Sequence, residues 1–229
     1  MRPILLAALL LFIGGSAYGQ IPGGSGGDLD ADYWFDIFYP KIFYTFTEGV
    51  TGGAYYAFVQ PLRVSDYGSP PPYRISIALD GQLSSSGSRF LKLEVRAPGL
   101  ANGWRFSSRL MTRRRAKANY FGLGNATVFD KDNVTDAQPD FYRAIRTQYI
   151  FRADAQRDVV GPLRVVGGVK FERWRIAPPD RPSLIAIDLA NQRDPTIGIG
   201  TNDVSVRIGL MVDTRDDEVA PTKGFLVEA

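Results

Sequence analysis

Apolar and polar residues alternate along most of this chain, the pattern of strands with two unlike faces. In the clearest stretch, Tyr73, Ile75, Ile77 and Leu79 fall on one side and Arg74, Ser76, Ala78 and Asp80 on the other. Leu91, Leu93, Val95 and Ala97 likewise oppose Lys92, Glu94 and Arg96, and Ile145, Thr147, Tyr149 and Phe151 oppose Arg146, Gln148, Arg152 and Asp154. Leu163, Val165, Val169 and Phe171 share a face, and Val204, Val206, Ile208, Leu210 and Val212 oppose Ser205, Arg207, Gly209, Asp213 and Arg215. Fainter alternation covers Ile42–Thr47, Tyr55–Gln60, Trp104–Thr112 and Phe225–Ala229. No window from Lys41 onward shows a helical period, so about nine strands and no helix are expected.

Many of these strands run to roughly 8–12 residues, longer than the usual ~5–6 of soluble sheets and close to the ~9–11 that a tilted strand needs to cross a bilayer. Their polar side carries long ionic side chains in mid-strand, as a barrel wall requires when lipid lies outside and water inside. Tyr73, Phe90, Trp104, Tyr142, Trp174 and Phe225 stand near strand ends, where interfacial girdles form. The proline-bearing stretches Leu62–Pro72 and Ala177–Asp203 read as long extracellular loops, with short turns on the other side.

The N-terminus adds export. Arg2 precedes the apolar run Ile4–Ile13, and Ala17-Tyr18-Gly19 places small residues before a cut at Gln20, the form of a cleaved secretory signal. The apolar run is about half the ~20 residues of a spanning helix. The organisation expected is a signal peptide over 1–19, a flexible Gly- and Asp-rich leader over 20–40, and a partial barrel domain over 41–229.

Composition removes several classes. The 229 residues contain no Cys and no His, which takes away the usual general base and zinc ligand, and a net charge of +3 is too small to argue for nucleic acid. Gly23-Gly24-Ser25-Gly26-Gly27 matches the nucleophile-elbow letters but lacks the strand, helix and His that the chemistry needs. No enzyme, cofactor or metal is expected. The basic run Arg113-Arg114-Arg115 with Lys117 suits a solvated turn, a lumen wall, or anionic head groups at a rim.

Two segments are more specific. Asp213-Thr214-Arg215-Asp216 is followed, after four residues, by Pro221-Thr222-Lys223-Gly224 and an alternating strand. Asp213 and Arg215 fall on the polar face, where they can form a charge-assisted pair or hold a loop, while Pro221 and Gly224 shape the turn. The second segment is Tyr120-Phe121-Gly122-Leu123-Gly124-Asn125, whose glycines suit close packing or a strand kink.

The first string resembles the hallmark hairpin of the bacterial surface antigen superfamily of outer-membrane protein assembly barrels, BamA- and TamA-like, and the second resembles a segment that short members carry upstream. The resemblance spans roughly Tyr33 to Ala229. It implies an all-β fold, an antiparallel transmembrane β-barrel of about 16 strands, in the bacterial outer membrane. Asp213, Arg215, Asp216, Pro221 and Gly224 then belong to its inner-wall motif. It also implies contacts with outer-membrane lipid, with the machinery that inserts the barrel itself, and with client outer-membrane or secreted proteins. The family's Arg-Gly-aromatic loop tip is missing, as are a terminal aromatic residue and periplasmic repeats. The chain therefore reads as the N-terminal part of a short, truncated member, with closure as a smaller barrel as the alternative. The function implied is outer-membrane protein assembly or translocation, with a passive pore or structural barrel as the alternative.

Overall fold

The computed structural model describes residues 33–63, 71–101, 103–124 and 127–229. The signal peptide, the leader up to residue 32 (Ser25 with it) and Asn125 lie outside the described residues. Nine strands are present: β1 (Phe35–Thr45), β2 (Gly49–Gln60), β3 (Ile75–Ser84), β4 (Arg89–Ala101), β5 (Trp104–Asn119), β6 (Arg143–Val160), β7 (Leu163–Ala177), β8 (Thr201–Asp213) and β9 (Leu226–Glu228). They form one antiparallel sheet in chain order, each strand bonded to the next, as a chain of hairpins requires. Among the described residues no helix is long and apolar enough to cross a membrane.

Register turns alternation into two continuous faces. Pairings such as Glu94↔Arg109, Arg109↔Arg152, Arg152↔Lys170 and Lys170↔Ser205 keep polar residues in line from strand to strand, while Leu93↔Leu110, Leu110↔Phe151, Phe151↔Phe171 and Phe171↔Val204 keep apolar ones in line. A slip of one residue would exchange the faces. Burial is inverted relative to a water-soluble domain. Asp154, Arg164 and Asp213 are each 8% exposed, whereas Val204 and Val206 are 71% and Ile208 is 84% exposed.

The structure corrects several expectations. The leader does not extend to residue 40, because β1 opens at Phe35. Pro40 lies within β1, which is the edge of the sheet, where a residue without an N–H is tolerated. The loop Ala177–Asp203 holds a short helix, α1 (Leu184–Ala190). The two long loops leave from opposite ends of the sheet, because the five strands β3 to β7 separate them and each reverses the chain. The end that carries α1 also carries the long connection between β5 and β6, which contains a 3-10 turn at Lys131–Asn133.

The proposed girdle divides. Trp104 and Phe225 stay exposed, at 49% and 57%. Phe90 and Trp174 pair with Arg113 and Gln148 on the charged face, and Tyr142 is buried among loop aromatics.

Candidate functional site

The charged face is wired laterally, and glycine makes one of the longer connections possible. In β7, Gly168 lies between Asp154 of β6 and Arg207 of β8. With no side chain in the way, Arg207 Nε donates to Asp154 Oδ1 at 2.9 Å across the whole width of β7. A Cβ on Gly168 would stand 2.2 Å from that oxygen. Strand glycines often mark such close approaches. Nearer the edge, Lys41 of β1 stands opposite Gly53 of β2, and its Nζ reaches diagonally to donate to Asp80 Oδ1 of β3, the residue opposite Tyr55, at 2.8 Å.

Two carboxylates in mid-wall serve several cations each. Glu94 accepts from Lys92 Nζ at 3.1 Å, Arg96 Nη2 at 2.8 Å and Arg109 Nη2 at 2.7 Å. Asp154 accepts from Arg152 Nε at 2.7 Å as well as from Arg207. A cavity of about 620 Å³ lies over this stretch of wall.

The Asp213–Gly224 hairpin folds across that cavity. Asp213 ends β8 on the charged face with its side chain 3% exposed. It accepts from Arg164 Nη1 at 3.1 Å and from Arg215 Nε at 2.9 Å and Nη2 at 3.1 Å, so two guanidinium groups neutralise one buried carboxylate. Arg164 also binds Asp158 at 3.0 Å, and Arg215 Nη1 donates to the Glu218 carbonyl at 3.3 Å. The Glu218 side chain pairs with Arg105 of β5, tying the loop to a strand three positions away in the sheet.

Every other residue of the string shapes the loop. Thr214 Oγ1 accepts the Phe225 amide at 2.9 Å, closing the hairpin. Asp216 Oδ1 receives the amides of Thr222 at 2.9 Å and Lys223 at 3.1 Å, and its Oδ2 accepts the Thr222 hydroxyl. The Thr222 hydroxyl and these amides hold its carboxyl down at about 2. Pro221, which has no N–H to satisfy, stands between residues whose amides are taken by Asp217 and Asp216. Gly224 has φ +92°, and a Cβ there would meet the Thr214 carbonyl oxygen at 2.2 Å.

The glycine segment lies elsewhere, at the loop end beyond β5. Tyr120 joins Ala144, Ile185 and Ile197 in a small apolar cluster that seats α1 on the sheet. Its hydroxyl donates to Asp188 Oδ2 at 2.8 Å, and the other Asp188 oxygen lies 3.3 Å from Arg193 Nη1. Burial, the hydrogen bond and the charge of Asp188 push the Tyr120 hydroxyl well above the ordinary tyrosine range. Phe121 packs on Phe129 and Tyr142 at ring separations of 6.0 and 5.7 Å. Gly122 and Gly124 have φ of +99° and +87°, so they serve a left-handed loop rather than a kinked strand. The two sequence strings are thus not brought together: Asp213 is at one end of the sheet and Tyr120 at the other.

Sequence reading missed Arg164, Asp158, Arg105 and Glu218 as partners of the hairpin, and Asp188 as the partner of Tyr120. Arg164, Asp158 and Arg105 carry no motif and are set in place by register, and Glu218 sits among the four spacer residues of the string, whose letters say nothing of a partner. Asp188 had one clue, an acid inside the apolar stretch Leu184–Ala190, but that stretch is too short for a period to show.

Fold and face together define an all-β antiparallel wall, apolar on one side and ionic on the other. No family model matches the chain, and no curated protein matches it in sequence. Among solved structures it is similar to BamA from Haemophilus ducreyi lacking POTRA domains 1-3, with a TM-score of 0.42 and 12% identity, over 86% of this chain and 33% of that one. The chain spans about a third of the length of that structure.

Proposed function

We propose that the chain forms part of the wall of a bacterial outer-membrane β-barrel whose work is outer-membrane protein assembly or translocation. The observation that carries the membrane reading is the inverted burial: Asp154, Arg164 and Asp213 are covered, while Val204, Val206, Ile208 and their row-mates stand exposed on a continuous face. Such a face is far larger than the few hundred Å² of apolar patch that soluble monomers tolerate, and hydrocarbon covers it at no cost. The assembly reading is supported by the Asp213–Gly224 hairpin, whose letters resemble those of assembly barrels and whose Asp213–Arg215 pair is held against the wall by Arg164.

The work in this reading involves no covalent chemistry. Strand pairing and the ionic wall guide a client chain. The test is reconstitution of the full protein in proteoliposomes, followed by the rate at which an unfolded outer-membrane protein inserts. Faster insertion than in protein-free vesicles supports assembly. Stable open conductance with no effect on insertion gives the passive pore instead. A protein that remains monomeric in buffer without detergent overturns the membrane reading altogether.

A further inference from the structure

We propose that the charged face holds a binding site for a soluble multivalent oxyanion, of the phosphate or pyrophosphate class, built from Arg113 and Arg115 of β5 and Arg146 of β6. The site goes beyond the assembly reading and rests only on the charged face being wetted.

Arg115 and Arg146 are directly opposed across the β5–β6 ladder. Opposed residues stand only about 5 Å apart, and like charges placed so are destabilising. Arg113 lies two residues along β5 on the same face and feels the positive charge of both. Elsewhere on this wall arginines are neutralised: Arg96 and Arg109 by Glu94, Arg152 and Arg207 by Asp154, and Arg164 and Arg215 by Asp213. Arg113, Arg115 and Arg146 have no ion pair within 4.0 Å among the described residues.

The carboxylates around them are already engaged. Asp80 is held by Lys41 at 2.8 Å, and Glu172 by Lys170 at 2.8 Å and Gln148 at 2.6 Å. Glu48 is bound by the Ser86 hydroxyl at 2.6 Å, and Asp140 lies 3.6 Å from Lys117 and 3.8 Å from Arg181.

Local construction favours a ligand over simple exposure. Arg113 and Arg115 line a cavity of about 620 Å³ together with Thr51, Ser88, Lys117 and the already engaged Glu48 and Asp80, while Arg146 stands across the ladder from Arg115. Thr51 is 5% exposed, and among the described residues its hydroxyl has no hydrogen-bond partner, an arrangement that buried polar groups rarely keep. The ladder gains an extra β5 residue just after Arg115, and the Ala116 amide released there is taken by the Ser88 hydroxyl at 2.7 Å. Bulges of this kind re-aim neighbouring side chains and recur beside functional sites. Arg113 is steadied over the Phe90 ring, 5.0 Å from its centroid. Three guanidinium groups offer paired N–H donors in the fork that matches phosphoryl oxygens. Arg114, the middle of the run, also lines the cavity but is engaged, donating to the Gly87 carbonyl at 2.7 Å.

The test uses the full protein in neutral detergent micelles, with pyrophosphate titrated calorimetrically. Saturable binding is expected, weakened at least tenfold in Arg115→Gln/Arg146→Gln, and changed less than twofold in Arg152→Gln, which alters the same wall charge at a neutralised position. Without pyrophosphate the double variant is expected to melt no earlier than the parent, since an opposed pair of cations has been removed. Absent binding, equal loss in Arg152→Gln, or a double variant that unfolds early overturns the site. A second arm presents vesicles containing anionic phospholipid. If the double variant loses vesicle binding while pyrophosphate never binds, the arginines serve lipid head groups and the proposal fails. None of these outcomes bears on whether the protein inserts clients, so the site and the assembly reading fail separately.

Discussion

Gly167 and Gly168 are neighbours in β7 that point to opposite faces, and replacing each by alanine should shift stability in opposite directions. A Cβ on Gly167 meets nothing within 4 Å, so Gly167→Ala removes unfolded-state freedom and gains about 0.5–1 kcal/mol. A Cβ on Gly168 lands 2.2 Å from Asp154 Oδ1 and 3.2 Å from the Ala153 carbonyl oxygen, so the carboxylate has to swing away. It then gives up Arg207 Nε at 2.9 Å and Arg152 Nε at 2.7 Å.

Charge-assisted hydrogen bonds contribute about 1.5–3 kcal/mol each. Both arginines are more than two-fifths exposed, 43% and 42%, and water takes over part of their role, which lowers each loss to about 1–2 kcal/mol. After the alanine gain is subtracted, Gly168→Ala should lose about 2 kcal/mol. Urea unfolding of the full protein in detergent micelles, followed by tryptophan fluorescence, reads this as a midpoint about 1 M lower, with an unchanged slope. If Gly168→Ala proves as stable as Gly167→Ala, the bridge across β7 contributes nothing and the wiring of this face has been misread.

Other perturbations test other parts of the structure. Asp213→Ala leaves Arg164, whose side chain is 10% exposed, without its buried partner and should cost about 3 kcal/mol in the same assay. Ile208→Arg should lower the stability of lipid-inserted protein by about 2–4 kcal/mol if the exposed face meets hydrocarbon, whereas a water-facing Ile208 would tolerate it. Tyr120→Phe should cost about 2 kcal/mol by taking a donor from fully buried Asp188, and should speed proteolysis in the α1 loop before the sheet unfolds. The folded pKa of Asp216, about 2, lies below its ordinary 3.8, so its hold on the loop is present above that ordinary value and fades as pH falls through about 2. Amide exchange at Lys223 should therefore stay slow at pH 4 and quicken below pH 2.5.

Alternation made the nine strands legible, and it placed Asp213 and Arg215 on the polar side before any partner was visible. It could not supply register, and register is what brings Arg207 to Asp154 or sets Arg115 against Arg146. The start of β1 was not legible either, because alternation before Lys41 is faint and only pairing with β2 shows that the strand opens at Phe35. The helix at Leu184–Ala190 covers two turns between loop residues, and its stability comes from docking Ile185 onto Ala144 and Tyr120, contacts distant in sequence. The loops were assigned to one side by length, whereas counting strand reversals between them separates them. The hairpin string stood out from its letters alone, but its reach to Arg164 and Arg105 did not.

Because Glu94, Asp154 and Asp213 each compensate at least two guanidinium or ammonium groups, the wall's tolerance of sequence drift is lopsided. Loss of one arginine leaves its acid still matched by another. Loss of one acid takes a partner from at least two cations at once, and among the described residues only Arg164 and Arg207 keep a second acid, Asp158 and Glu228. Over many generations, arginine positions on this face can wander while the few carboxylates anchor the pattern, and redundancy on one side of the charge balance is what gives the other side its rigidity.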